Sequence, residues 1–177
     1  NPVLLMAHMD VVPVTDESMD DWTHGPFKGD VADGYIWGRG AMDDKASLFS
    51  IMEAVEWLLN EGFSPVRPIY ISFGYDEEIG GTQGAAKVAE RMQSMNVVPE
   101  FVLDEGGGLL SGDMLPINSM SAFVAMGEKG YLSLRLTAHS QGGHSSMPEK
   151  ETTIGILATA VQKLQENPFP ASMTPSI

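Results

Sequence analysis

Cysteine is absent from the 177-residue chain. That excludes a disulfide framework, a thiolate metal site and a cysteine nucleophile. It is compatible with a reducing compartment such as the cytoplasm without establishing one. Basic residues are scarce: 10 Lys and Arg stand against 24 Asp and Glu, a net charge of −14. So acidic a chain is a poor match for nucleic acid or an anionic membrane surface. No apolar run approaches the ~20 residues of a membrane-spanning helix. Internal repeats and low-complexity segments are lacking as well. The chain opens on Asn1 without an initiator Met, directly before the apolar run VLLM at residues 3–6, and closes on the Pro-rich NPFPASMTPSI. A piece of a longer protein is therefore expected, and a missing signal peptide carries little weight.

What the chain does contain is a globular composition, 43% hydrophobic and 19% charged. Its length suffices for one good core or one and a half domains. PVLLMAH, residues 2–8, is a short apolar run ending at polar residues, the pattern of a strand buried on both faces. Residues 11–34 read as loop, punctuated by Pro13, Gly25, Pro26, Gly29 and Gly34. YIWGRG is a short strand running into a glycine turn. From Lys45 to Asn60, Leu48, Ile51, Met52, Val55, Leu58 and Leu59 recur at helical spacing, with Gly62 as the stop. Ile69, Ile71, Phe73 and Tyr75 alternate as a strand, residues 82–95 form an amphipathic helix, and EFVLD is a further short strand. This order predicts right-handed crossovers and an α/β fold: three layers, α/β/α, around a mostly parallel sheet.

The pattern changes near residue 122. YLSLRLTA alternates as a strand with one wet face, and a glycine-rich SQGGHSSMP follows. A helix carrying Ile154, Leu157, Val161 and Leu164 comes next. One strand and one helix cannot close a domain. Residues 1–121 are thus expected to be an incomplete catalytic α/β domain, and residues 122–177 the start of a small α+β domain.

Ligands of α/β sheets bind beyond the carboxyl ends of the strands, and all three core strands end in metal-capable groups. The first ends in His8 and Asp10, the second in Asp76, Glu77 and Glu78, the third in Asp104 and Glu105. The turn GRGAMDDK adds Asp43 and Asp44 at a helix start. Any one of these acids is most simply a solvated loop residue, and His8 alone a satisfied core histidine. Their common placement at strand ends reverses that. Imidazole plus carboxylates without thiolate suits Zn²⁺, Co²⁺ or Mn²⁺ better than a calcium cage. So many acids exceed the need of one tetrahedral ion and favour two metals with a bridging carboxylate. Asp10, two residues beyond His8, is placed to accept the ring's other N–H. Successive side chains at a strand end diverge, so Glu77 and Glu78 cannot both reach one metal. One can ligate while the other takes a proton from a metal-activated water and returns it to a leaving amine, which is amide hydrolysis.

Five ordered motifs, HMDVVP, GRGAMDDK, DEEIGG, VLDEGG and GGHSSMP, together resemble the dinuclear-zinc peptidases and amidohydrolases that include aminoacylase, carnosinase and carboxypeptidase S. WGRGAMDDK, EKGYLSLRL and GGHSSMPEKETTIGILA look closest to the carboxypeptidase S (Gly-X carboxypeptidase) branch. The resemblance covers nearly the whole chain. It implies that His8 ligates one metal, Asp43 bridges, Glu78 ligates the second metal and Glu77 is the general base. Asp10 would support His8 and count as catalytic, and the Asp43–Asp44 peptide would be cis. A further ligand comes from LDEGG; spacing does not choose between Asp104 and Glu105, with a slight lean to Asp104. His144 would be a catalytic histidine of the lid domain, reaching the site of a partner subunit in a homodimer and stabilising the oxyanion. His24 and His139 are left as structural or surface residues, and Arg39 as a partner of nearby acids. The family's C-terminal histidine ligand has no counterpart in this sequence, so the piece alone is expected to hold metal poorly and turn over little.

The whole protein is accordingly expected to be a metallohydrolase with two divalent ions, foremost Zn²⁺. It would cleave a short peptide or an N-acyl amino acid next to a free C-terminal carboxylate. A dipeptidase or aminoacylase is the alternative within the family. Outside it stand a non-catalytic metal-binding or dimerisation relative, disfavoured by Glu77, and a phosphoesterase, disfavoured by the lack of a basic phosphate clamp.

Overall fold

A computed structural model describes residues 1–111, 119–144, 146–147 and 149–172. Two units are present, Asn1–Gly106 and a second beginning at Gly107. In the first, β1 (Val3–His8) is the central strand of a three-stranded sheet in the order β4-β1-β5, where β4 is Ile69–Gly74 and β5 is Phe101–Leu103. Both pairings are parallel, Val3 lying opposite Ile69 on one side and Phe101 on the other. The crossover from β1 to β4 runs through helix α1 (Lys45–Asn60), and that from β4 to β5 through α2 (Ala85–Ser94). The two crossovers move across the sheet in opposite directions. With right-handed connections their helices must lie on opposite faces.

The side chains bear this out. Ile69 and Ile71 share a cavity with Val55, Leu58, Leu59 and Phe63 on the α1 side. Leu4, Met6 and Val102 share another with Val88, Ala89 and Met92 on the α2 side. Val3, Leu4 and Ala7 of β1, Leu48 of α1 and Met92 of α2 are the buried apolar core. The α/β/α arrangement expected from the element order is present.

Helix α1 has the expected limits. Its end is closed by Gly62 N–H to the Leu59 carbonyl (3.0 Å) and Phe63 N–H to the Leu58 carbonyl (2.9 Å), a Schellman pair. Asn96 and Val97 close α2 in the same way on Gln93 and Met92. Helix α2 starts three residues later than expected, because residues 82–84 belong to the turn leading out of the acidic triplet.

Two expectations need correction. Residues 11–34 are not all loop: β2 (Asp30–Ala32) pairs antiparallel with β3 (Tyr35–Trp37). Asp33 and Gly34 between them both have positive φ, 54° and 82°, the two-residue hairpin turn that Asp-Gly favours. Residues 131–138, expected to be a strand, are irregular. A strand exists only by pairing, and none of the described strands is hydrogen-bonded to this segment. The second unit instead contains the antiparallel pair β6 (Gly108–Leu110) and β7 (Ser121–Phe123), and helix α3 (Thr153–Glu166). The expected helix is α3, capped by Thr152, whose hydroxyl accepts from the Gly155 N–H at 3.1 Å.

Candidate metal centre

Because all three parallel strands run the same way, their carboxyl ends meet at one edge of the sheet. His8, the last residue of β1, is buried at 3% exposure, and its main-chain N–H donates to Asp44 Oδ2 at 3.1 Å. Its ring is fixed from one side by Asp10. Nδ1 lies 2.9 Å from the Asp10 carbonyl oxygen and 3.3 Å from Asp10 Oδ1. The backbone oxygen, rather than the expected carboxylate, makes the better-formed bond. With that contact Nδ1 carries the N–H, so whenever the ring is neutral Nε2 presents its lone pair.

That lone pair looks into acids. Nε2 is 3.0 Å from Asp43 Oδ1, 3.2 Å from Glu105 Oε1 and 3.8 Å from Glu77 Oε2. A lone pair facing carboxylates is repulsive unless a proton or a metal ion lies between them. Two sets of ligand atoms fall within 4.8 Å of one another: His8, Asp44 and Glu105, and His8, Asp43 and Glu78. One imidazole and two carboxylates is a donor set that fits a zinc-like divalent ion. Both sets draw on His8, whose single free nitrogen serves one ion at a time.

The acids respond to the crowding. Burial, then the charge of Asp44, pushes Glu105 up to about 7, against the opposing pull of His8. Burial raises Glu77 as well. His8 opposes the rise while Glu78, Asp10 and Asp43 add to it, although about half the Glu77 side chain faces solvent. For His8, burial works against the charged form, but Glu105, Asp43, the Asp10 carbonyl and Glu77 outweigh it and raise the pKa. Asp10 goes the other way. Burial would raise it, but the backbone N–H groups of Glu78 and Glu77 hold it below the ordinary carboxylate range.

The acidic triplet divides its side chains as alternation requires. Glu78 Oε1 accepts from the Val12 N–H at 3.0 Å, and its own N–H donates to Asp10 Oδ2 at 3.0 Å. Glu77 points toward the His8 ring without bonding to it. Asp76 turns inward and is buried. A cavity beside this cluster is lined by Met6, His8, Ser72, Glu77, Gly81 and Asp104, among others.

Of the residues singled out from the sequence, His8, Asp10, Asp43, Glu77, Glu78 and Glu105 come together. Asp104 lines the cavity but belongs to neither ligand set among the described residues. His144 lies in the second unit, where its Nδ1 accepts from the Ser146 N–H at 3.3 Å and lies 2.8 Å from Ser146 Oγ. The Asp43–Asp44 peptide is cis. Asp44, noted in the sequence but given no role there, is 1% exposed and belongs to a ligand set. Its signal was its place beside Asp43 in the same turn. Arg39 makes no ion pair among the described residues; its guanidinium lies over the Trp22 ring, 5.4 Å from the centroid. His24 sits 3.4 Å from Asp30 and packs against Trp37, a structural role as expected.

Residues 4–176 match the profile of Peptidase family M20/M25/M40. The chain is 48% identical over 169 residues to a probable carboxypeptidase S-like 2 of Dictyostelium discoideum, covering 94% of this chain and 32% of that protein. It is also 48% identical over 169 residues to the N-fatty-acyl-amino acid synthase/hydrolase PM20D1 of Xenopus tropicalis, covering 96% and 32%. With carboxypeptidase S of Saccharomyces cerevisiae the identity is 41% over 179 residues, covering 95% and 29%. The chain thus spans about a third of the length of the curated relatives it matches.

Proposed function

The chain belongs to the M20/M25/M40 peptidase family, and on that premise we propose that the complete protein is a metal-dependent hydrolase of amide bonds next to a free carboxylate. Its substrates would be short peptides or N-acyl amino acids, in keeping with the names of its relatives. The observation that carries the proposal is the surround of His8 Nε2: a ring nitrogen with its lone pair turned toward Asp43 and Glu105, and a third carboxylate, Glu77, held just outside bonding range. A site meant only to hold an ion has no use for that third acid.

In this reading His8, Asp43 and either Asp104 or Glu105 hold one divalent ion, while Asp43 and Glu78 contribute to a second. The ions, foremost zinc, would supply Lewis acidity that polarises the amide carbonyl and makes a nearby water easier to deprotonate. The chain's own residues do the rest. Asp10 fixes the His8 ring so that Nε2 faces the ligand set. Glu77, its pKa raised by burial, takes a proton from the attacking water and delivers it to the departing nitrogen. His144, in the second unit, has Nδ1 occupied as an acceptor, so its Nε2 carries the proton and would donate to the carbonyl oxygen in a partner subunit's site, as the family resemblance implies.

Glu77→Gln in the complete protein tests this. Hydrolysis of N-acyl amino acids and peptides should fall by about 10²–10⁴-fold while the metal content is kept. Unchanged turnover would exclude Glu77 as the base.

A further inference from the structure

Asp76, the first acid of the triplet, has no part in the ligand sets, yet it is the most deeply buried of the three at 4% exposure. Its Oδ2 accepts from the Gln83 N–H at 2.7 Å. Its main-chain carbonyl accepts from Gly81 N–H at 2.7 Å and from Ile79 N–H at 3.3 Å. One residue therefore closes both the inner turn, residues 76–81, and the wider loop, residues 76–83. Gly80 and Gly81 follow with φ of 100° and 63°, a backbone that only glycine adopts freely. The second carboxylate oxygen, Oδ1, is buried without a hydrogen-bond partner and sits against Gly84, where an added Cβ would run into it.

Burying a carboxylate with one oxygen unpaired is costly. Glu77 and Glu78 lie inside the loop it closes, on a single turn of 3-10 helix, Glu77–Ile79. So short a turn has little rigidity of its own. From the far side the loop is held by Asp10 and by Val12 N–H. Asp76 supplies the opposing anchor, so that the two glutamates are gripped between the ends of β1 and the approach to α2.

We propose that Asp76 is a positioning residue: by tying Gln83 back over the turn, it sets where the Glu77 and Glu78 carboxylates stand relative to His8. This rests on the function proposed above, which takes Glu77 as base and Glu78 as ligand. An ordinary loop-stabilising aspartate would change stability and leave the ligand field and the kcat-to-KM balance alone.

The test compares Asp76→Ala, Asp76→Asn and Gly84→Ala in the complete protein loaded with Co²⁺. The visible cobalt spectrum reads the ligand arrangement without turnover, and steady-state kinetics on an N-acyl amino acid read Glu77. Asp76→Ala is expected to alter the spectrum and to lower kcat by about 10–100-fold with KM within about threefold of the parent. Asp76→Asn keeps an acceptor for Gln83 and should restore the spectrum and most of kcat. Gly84→Ala should behave like Asp76→Ala. An Ala variant with the parent's spectrum and kcat, a change in KM alone, or an Asn variant as impaired as the Ala variant would overturn the proposal. Should Asp76→Ala not fold, Gly84→Ala decides on the same two readouts. If the parent hydrolyses no amide, the proposed function fails, while the cobalt spectra still decide the role of Asp76.

Discussion

If His8 and Glu105 hold a cation, as proposed, they set how it competes with protons. Both have pKa values raised in the folded chain, Glu105 to about 7. A raised pKa means that the protonated form is favoured in the fold. At about pH 6 a cation must therefore displace the Glu105 proton, and by about pH 8 that proton is already gone, with His8 adding to the release in the same direction. Affinity for Zn²⁺ should climb across that interval and flatten above it. Calorimetry in two buffers of different ionisation enthalpy counts the protons released. A flat affinity with no release would remove both residues from the ligand set. At this scale the sequence was legible wherever a residue type was scarce or its position unusual, as with His8 after a buried strand. It was not legible between Asp104 and Glu105. Neighbouring side chains at a strand end point apart, and the fold sets Glu105 Oε1 3.2 Å from His8 Nε2 while Asp104 lines the adjacent cavity.

At the scale of elements, the long periodic segments were read best. Helix α1 repeats its apolar residues over four turns, enough to identify it, β1 was read from its short apolar run and β4 from its alternation. Strand β3 was read but β2, and with it the hairpin, was missed, because its Asp-Gly signal lay in a stretch crowded with proline and glycine. Residues 131–138 show the converse error: alternation states which face a strand would bury, but not that a neighbour is there to pair with it. Leu48 is the one buried residue of α1, one turn into the helix that starts at the Asp43–Asp44 turn. Leu48→Ala should destabilise the complete protein by about 2–5 kcal/mol, measured by denaturant unfolding. A loss far below that would mean α1 is held chiefly by its other contacts.

Taken whole, the chain leaves much apolar surface open. Phe101, Val102 and Leu103 of β5 are each more than half exposed, and Ile69 and Ile71 of β4 are more than 40% exposed. Parallel sheets are ordinarily covered on both faces, and exposed strand edges of this kind invite association. Residues 1–177 produced alone should bind a hydrophobic dye, associate at micromolar concentration and unfold without a sharp transition. The complete protein should bind no dye and should unfold in a sharp transition. Dye fluorescence and calorimetry of the two side by side make the comparison, and a monomeric, dye-free, cooperative 177-residue piece would contradict it.

The contacts that build the His8 cluster are distant along the chain: His8 meets Asp44 across 36 residues, and Asp10 meets Glu78 across 68. Loops of that size close late and at an entropic cost. An ion gathered by these residues needs most of the fold in place first, and is expected to stabilise the finished structure rather than seed it. In stopped-flow experiments on the complete protein, zinc should leave the refolding arm of the chevron where it is and lower the unfolding arm. The metal would act as a latch on a finished structure, prolonging its lifetime without hastening its formation.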